Sequence, residues 1–241
     1  GPDTKIVLLL FSAGPLNVTF ADESARVSAI LECFFPGQGT GEALVNVLFN
    51  KDSNSSPAGR LPMTWPKFAW QVPSMVNYSM AGRTYRYLNT DPLYPFGYGL
   101  SYTRFNYTRM MVKTVHNATK DLDLDLTLQN IGPVDADEVI QCYVEPKYRQ
   151  PYPAPRRALA YFGRIHIQAG LYRTLWITLS KQAWSVWKDG QWTYITLPSV
   201  PQVGTQPWAL LNPPSSGIQP NCRSDQGTVL LSVESGGFLI D

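Results

Sequence analysis

Few side chains in this chain could do chemistry, and their spacing limits which chemistry is open to them. Before residue 100 the carboxylates that could pair are Asp22 with Glu23 and Glu32 with Glu42. Two carboxyl groups ~5–5.5 Å apart can serve as nucleophile and acid/base. Asp22 and Glu23 are better explained as capping and charging a helix start, and Glu32 as part of that helix's polar side. Catalysis is not assigned to them. Ser12 follows an apolar run, but no G-x-S-x-G surrounds it, so no nucleophile elbow is expected. Gly37-Gln38-Gly39-Thr40-Gly41 imitates a phosphate cradle. Without G-x-G-x-x-G spacing or a following Lys-Ser/Thr, it reads as a tight turn with close helix packing. His116 and His166, the chain's 2 histidines, have no carboxylate at an obvious sequence spacing. A His-rich metal site is excluded on supply, and no metal or organic cofactor is called for. Arg83 and Arg86 alternate with Tyr85 and Tyr87. They read as braces of a domain junction through paired hydrogen bonds, with binding of a carboxylate or sugar as the alternative. Trp184, Trp187 and Trp192 gather at a hairpin, where cross-strand packing is the default and stacking on a sugar the alternative.

A modification signal stands beside these. Asn17, Asn54, Asn77, Asn106 and Asn117 each open an N-x-Ser/Thr sequon, five of the chain's eleven asparagines. That excess points to N-glycans and to passage through a secretory compartment, hence a secreted, extracellular or lumenal location. The 3 cysteines, Cys33, Cys142 and Cys222, are too few for a disulfide framework. Cys33 lies in an apolar run and is expected to behave as a small buried hydrophobe. Net charge is +2 in 241 residues, which carries no nucleic-acid footprint. The longest apolar run, Ile6 to Phe11, is far short of the ~20 residues of a membrane span.

The elements that must hold these residues fall into two unlike regions. Lys5–Phe11 is a continuous apolar run, the pattern of a strand buried on both faces. Asp22 then offers an N-cap, and Val27, Ile30, Leu31 and Phe34 follow at helical spacing. Thr40 can cap a second helix with Glu42 in its first turn and Ala43, Leu44, Val47 and Leu48 on its apolar face. After residue 103 the period drops to two. Leu122, Leu124, Leu126 and Leu128 alternate with Asp121, Asp123, Asp125 and Thr127, apolar inward and acidic outward. Ile140, Cys142 and Val144 alternate likewise in the next strand. Leu159, Tyr161, Ile165 and Ile167 do so later, then Leu175, Ile177 and Leu179. Asp189-Gly190 between Trp187-Lys188 and Gln191-Trp192 signals a two-residue hairpin. Counting Arg104–Lys113 and both hairpin arms gives seven strands, the count of an immunoglobulin-like sandwich. The tail is Pro-rich, and its apolar segment Gly227–Val233 could add a strand.

Four ordered motifs carry a family resemblance. Phe35-Pro36-Gly37-Gln38-Gly39-Thr40-Gly41-Glu42-Ala43 and Ser56-Pro57-Ala58-Gly59-Arg60-Leu61-Pro62 come first. Gly82-Arg83-Thr84-Tyr85-Arg86-Tyr87 leads to Pro95-Phe96-Gly97-Tyr98-Gly99-Leu100-Ser101-Tyr102. Asn130-Ile131-Gly132 precedes Asp137-Glu138-Val139-Ile140-Gln141-Cys142-Tyr143. Together they resemble glycoside hydrolase family 3, with Gly-Arg-Thr-Tyr-Arg leaning toward its β-xylosidase-like branch, β-glucosidases remaining open. The resemblance implies an α/β plus all-β chain: the C-terminal half of an α/β-sandwich domain with its linker over 1–100, a fibronectin type III-like β-sandwich over 101–197, and a Pro-rich tail over 198–241. Arg83, Tyr85, Arg86, Phe96, Gly97 and Gly99 form its junction motif.

The family implies retaining hydrolysis of β-linked sugars by two carboxylates. One sits on an N-terminal barrel and the other early in the α/β domain, ahead of Ile6–Phe11, so no residue of this chain corresponds to either. The expected partners are the N-terminal part of the same precursor (barrel plus first half of the α/β domain), N-glycans and, in an active enzyme, a carbohydrate substrate. The alternative is an extracellular structural or filament glycoprotein that reuses the fold with catalysis lost.

Overall fold

A computed structural model of the chain describes residues 3–50, 55–116, 121–145, 155–188, 190–194, 203–205 and 230–233. Its first part is a two-stranded parallel layer. Strand β1 (Ile6–Leu10) pairs with β2 (Val27–Glu32), Leu8 opposite Ile30 and Leu10 opposite Glu32. The single-turn helix α1 (Thr19–Asp22) lies between them in sequence. Two expectations change here. Val27–Glu32 is a strand rather than a helix, because a parallel strand is apolar nearly throughout and so contains the i, i+3, i+4 positions of a helix stripe. Asp22 ends α1 instead of capping a helix, and its carboxylate accepts the Tyr94 hydroxyl at 2.7 Å.

Helix α2 (Thr40–Phe49) follows a 3₁₀ turn over Gly37–Gly39, with Gly37 at φ 73°. Thr40 lies inside the first turn and Gly39 takes the cap position; the Thr40 hydroxyl donates to the Gly37 carbonyl. Glu42 does sit in the first turn. A small core gathers Leu10, Val18, Ala21 and Trp65. Trp65 is 2% exposed, and its indole N–H donates to the Leu16 carbonyl at 2.9 Å, so the large ring is buried with its one donor satisfied.

The second part is the sandwich. One sheet runs β3 (Phe105–Val115), β4 (Leu122–Asn130), β7 (Tyr172–Leu179), all antiparallel. The facing sheet contains β5 (Ala136–Glu145) and β6 (Ala158–Ile167). Strand β8 (Ser185–Lys188) pairs antiparallel with β9 (Gln191–Tyr194), with Gly190 ahead of β9 at φ 78°. Among the described residues seven strands therefore lie in the expected stretch, but β8 and β9 form a sheet of their own. The open edge of β5 is taken instead by β11 (Leu230–Val233), with β10 (Val203–Thr205) beyond it. An edge strand's unpaired N–H and C=O groups are satisfied by any extended segment that reaches them, which local pattern does not reveal.

Leu122, Leu124, Leu126 and Leu128 are all at or below 1% exposure and pack with Ile140, Cys142, Val144, Ile167, Ile177 and Leu179. The inward leucines are as the alternation requires. The acidic face is not: Asp125 is buried, held between Arg109 and Lys113 at 3.5 Å each. Asn130 closes the end of β4. Its Oδ1 accepts from the Thr103 hydroxyl and the Gly132 N–H, and its Nδ2 donates to the Val134 and Ile167 carbonyls. A fully buried amide with every site engaged anchors the turn at Ile131–Pro133.

Candidate functional site

The site the motifs converge on is the seam between the two parts. Gly82–Tyr87 does not form a strand; it ends in a helical turn, α3 (Thr84–Tyr87), with Thr84 at φ 54°. This separates the two arginines. Arg83 turns back onto its own loop, where its guanidinium donates to the carbonyls of Ser74, Asn77 and Ser79. Arg86 meets the sandwich through its backbone, its carbonyl accepting the Arg156 N–H at 2.7 Å. The bracing expected of both guanidinium groups is thus done by Tyr85. Its ring stacks on Phe96 at 4.4 Å and meets Tyr143 edge-on at 5.8 Å, and its hydroxyl accepts the Leu159 N–H at 3.0 Å. Arg157 lies over both Tyr85 and Tyr143.

The two junction glycines are there because nothing larger fits. Gly97 has φ 83°, and a Cβ on it would fall 2.1 Å from Gln141 Oε1, a side chain bonded by the Tyr143 hydroxyl. A Cβ on Gly99 would fall 2.3 Å from the Gly59 carbonyl oxygen. The backbone of 96–99 lies against both parts at once, and only glycine permits that approach.

Beneath this lies a buried triad that the sequence reading did not assign. Arg60 Nη2 pairs with Glu138 Oε2 at 2.5 Å, with side chains 6% and 1% exposed. The Tyr107 hydroxyl donates to Glu138 Oε1 at 2.8 Å, and Arg60 Nη1 donates to the Gly99 carbonyl at 2.6 Å. Burial pushes the Glu138 carboxyl up, against the lowering pull of Arg60 and Tyr107, and burial likewise raises the Tyr107 phenol, with Glu138 adding to it. A signal existed: Glu138 has the inward parity of Ile140 and Cys142, and a carboxylate facing a core needs a cation.

The other candidates have structural occupations. Ser12 donates to the Gly14 carbonyl or to Glu32, whose Oε1 also accepts the Phe34 N–H at 2.9 Å. Glu32 thus fastens the turn after β2, where Phe34 stands at φ 52°, rather than lining a helix. Glu42 is exposed on α2. Both histidines do have carboxylate partners, His116 with Asp123 at 2.7 Å and His166 with Asp137 at 2.8 Å. Strand pairing brings these together across the sheet, which sequence spacing cannot show. Hydrogen bonds from Thr178 and His116 hold the Asp123 carboxyl below its usual range. Burial pushes Asp137 up, and the bonds from His166 and Arg164 outweigh it. Cys33 is half-buried rather than buried, while burial pushes the Cys142 thiol up to about 12. Both thiols are free; Cys222 lies outside the described residues. No group of three metal-ligating side chains occurs among the described residues. Asn17, Asn77 and Asn106 are exposed, and Asn54 and Asn117 lie outside the described residues. The Asn17 and Asn77 side chains accept the N–H of Thr19 and Ser79 respectively, the second sequon residue on. The side chains of Trp184, Trp187 and Trp192 also lie outside the described set. No helix among the described residues is long and apolar enough to cross a membrane.

The first part, a parallel strand pair, is thus locked by the Tyr85–Phe96–Gly97 seam onto an antiparallel sandwich. Residues 2–102 match the profile of the glycosyl hydrolase family 3 C-terminal domain, and residues 138–199 that of the fibronectin type III-like domain. The chain belongs to glycoside hydrolase family 3, as its C-terminal part. It is 34% identical to a xylan 1,4-β-xylosidase of Xylanibacter ruminicola over 70% of this chain and 19% of that protein. It is 30% identical to a β-D-xylosidase of Arabidopsis thaliana over 70% of this chain and 26% of that protein. A β-glucosidase structure from Chaetomella raphigera superposes with a TM-score of 0.69 at 25% identity, covering 80% of this chain and 30% of that one. The chain spans about a fifth to a quarter of the length of the curated relatives it matches.

Proposed function

We propose that this chain is the C-terminal part of a secreted, N-glycosylated β-xylosidase-like enzyme. In this reading it scaffolds the acid/base region and closes the cleft against an N-terminal barrel. The observation that carries the reading is the 34% identity to a xylan 1,4-β-xylosidase, a few points above the 28–30% of the matched β-glucosidases. Apolar exposure supports the missing partner. Ile6 and Val7 of β1 are 40% and 45% exposed, and Phe20, Phe35 and Phe49 are 70%, 74% and 76% exposed. Side chains of this kind need cover. Hydrolysis would proceed by double displacement through a glycosyl-enzyme intermediate, with both carboxylates supplied from outside this chain.

The second reading, a catalytically silent structural glycoprotein, is favoured by the sequon density and the free, half-buried Cys33. The experiment compares the full-length precursor with residues 1–241 alone on aryl β-xyloside and aryl β-glucoside. Turnover of the xyloside by the precursor only is the expected result. A folded but inert precursor hands the case to the structural reading. Turnover by residues 1–241 alone overturns the assignment of the carboxylates.

A further inference from the structure

The outer face of the β3–β4–β7 sheet carries features that sandwich packing does not explain. Strand alternation turns Tyr172 and Trp176 of β7 away from the leucine core. They remain 69% and 72% exposed. Register places Tyr172 opposite Gln129 and Trp176 opposite Asp125, so each ring has a polar side chain beside it on β4. The two aromatic positions are four residues apart, about 13 Å at the rise of a strand. That is longer than one sugar ring and suits a chain of them.

Asp125 supplies the second observation. Its side chain is only 6% exposed, and Arg109 and Lys113 both approach its Oδ2 at 3.5 Å. Oδ1 is buried without a hydrogen-bond partner. Oδ1 lies beneath these neighbours, so the charge of the carboxylate is met within the face by the two cations. The charges on this face balance: Arg109 and Lys113 against Asp123 and Asp125. No excess of cations is offered to phosphate-bearing partners, so nucleic acid and anionic lipid find no field here. Lys113 Nζ lies 5.8 Å from the centre of the Trp176 ring, which stays 72% exposed. What complements a charge-balanced face with two exposed rings flanked by polar side chains is a neutral chain rich in hydroxyls. The electron-rich faces of Trp and Tyr attract the C–H faces of pyranose rings.

We propose that this sheet face binds a neutral β-linked glycan chain along Tyr172 and Trp176. A polymer chain bound there would lie along the outer face of the sandwich. The choice of xylan as polymer rests on the β-xylosidase-like reading; the binding itself does not.

The test uses the full-length protein, retention on insoluble debranched xylan, and hydrolysis of an aryl β-xyloside as an independent readout. Trp176→Ala and Tyr172→Ala should each weaken retention about tenfold, the scale of one lost aromatic stack. Turnover of the aryl xyloside should be unchanged in both. Wild-type retention in both aromatic variants overturns the proposal. A change of oligomeric state in the variants, in place of lost retention, assigns the face to a second copy of the chain and also overturns it. A protein that binds xylan through these residues but hydrolyses nothing keeps this proposal and removes the enzymatic one.

Discussion

At the scale of single residues, the seam depends on one buried charge pair. Arg60 comes from the segment before Trp65 and Glu138 from β5, so neither part of the chain can satisfy the pair alone. Such a pair is weak evidence of net stability, since desolvation offsets attraction. Breaking it is another matter. Arg60→Met leaves the Glu138 carboxylate buried and unpaired, and should cost about 3–5 kcal/mol. Arg60→Met with Glu138→Leu should recover much of that loss, because no uncompensated charge remains. Urea unfolding midpoints of the full-length protein check this: the single variant should unfold at the lowest urea concentration, the double variant above it. The reverse order would mean that the pair does not bear on the seam.

At the scale of elements, β4 is the centre of the sandwich, paired on both edges and buried along one face. Its alternation is so regular that a slip of one residue would turn four leucines into solvent. Leu126 is 0% exposed. Leu126→Asp should cost several kcal/mol by placing an unpaired charge among apolar side chains. Thr174→Asp, one strand away and pointing outward, should stay within about 0.5 kcal/mol. Urea midpoints separate the two cases, and equal losses would contradict the assignment of faces. Strand β5 is different again. Ile140, Cys142 and Val144 face the core, while Gln141 and Tyr143 are covered by the junction. A strand buried on both sides couples the sandwich to the layer before it.

At the scale of the whole molecule, glycans and apolar exposure divide the surface. Asn17, Asn77 and Asn106 are exposed, and an Asn side chain folded onto the N–H two residues on presents a turn at the first two. Native protein should carry glycan on at least two of Asn17, Asn77, Asn106 and Asn117. Mass spectrometry before and after glycosidase treatment reads this, and no mass shift at any of the four removes the argument for secretion. The apolar side chains around β1 and α2 mark the opposite requirement, contact with protein rather than sugar.

What the sequence by itself determined was whatever depends on neighbours along the chain. The period-2 leucines of Leu122–Leu128, the pairing of Trp187 with Trp192 around Gly190 and the Gly37–Gly39 turn are local, and local sterics and alternation suffice to place them. Only the tertiary structure decided what depends on strand pairing and on approach through space. Val27–Glu32 carries apolar residues at helix spacing, yet the parallel edge of β1 makes it a strand. His116 and His166 find their aspartates across a ladder, Asp125 is buried between two cations of β3, and Arg60 reaches Glu138 from 78 residues away. In each case the partner is set by register and packing, which bring together groups that no spacing along the chain relates.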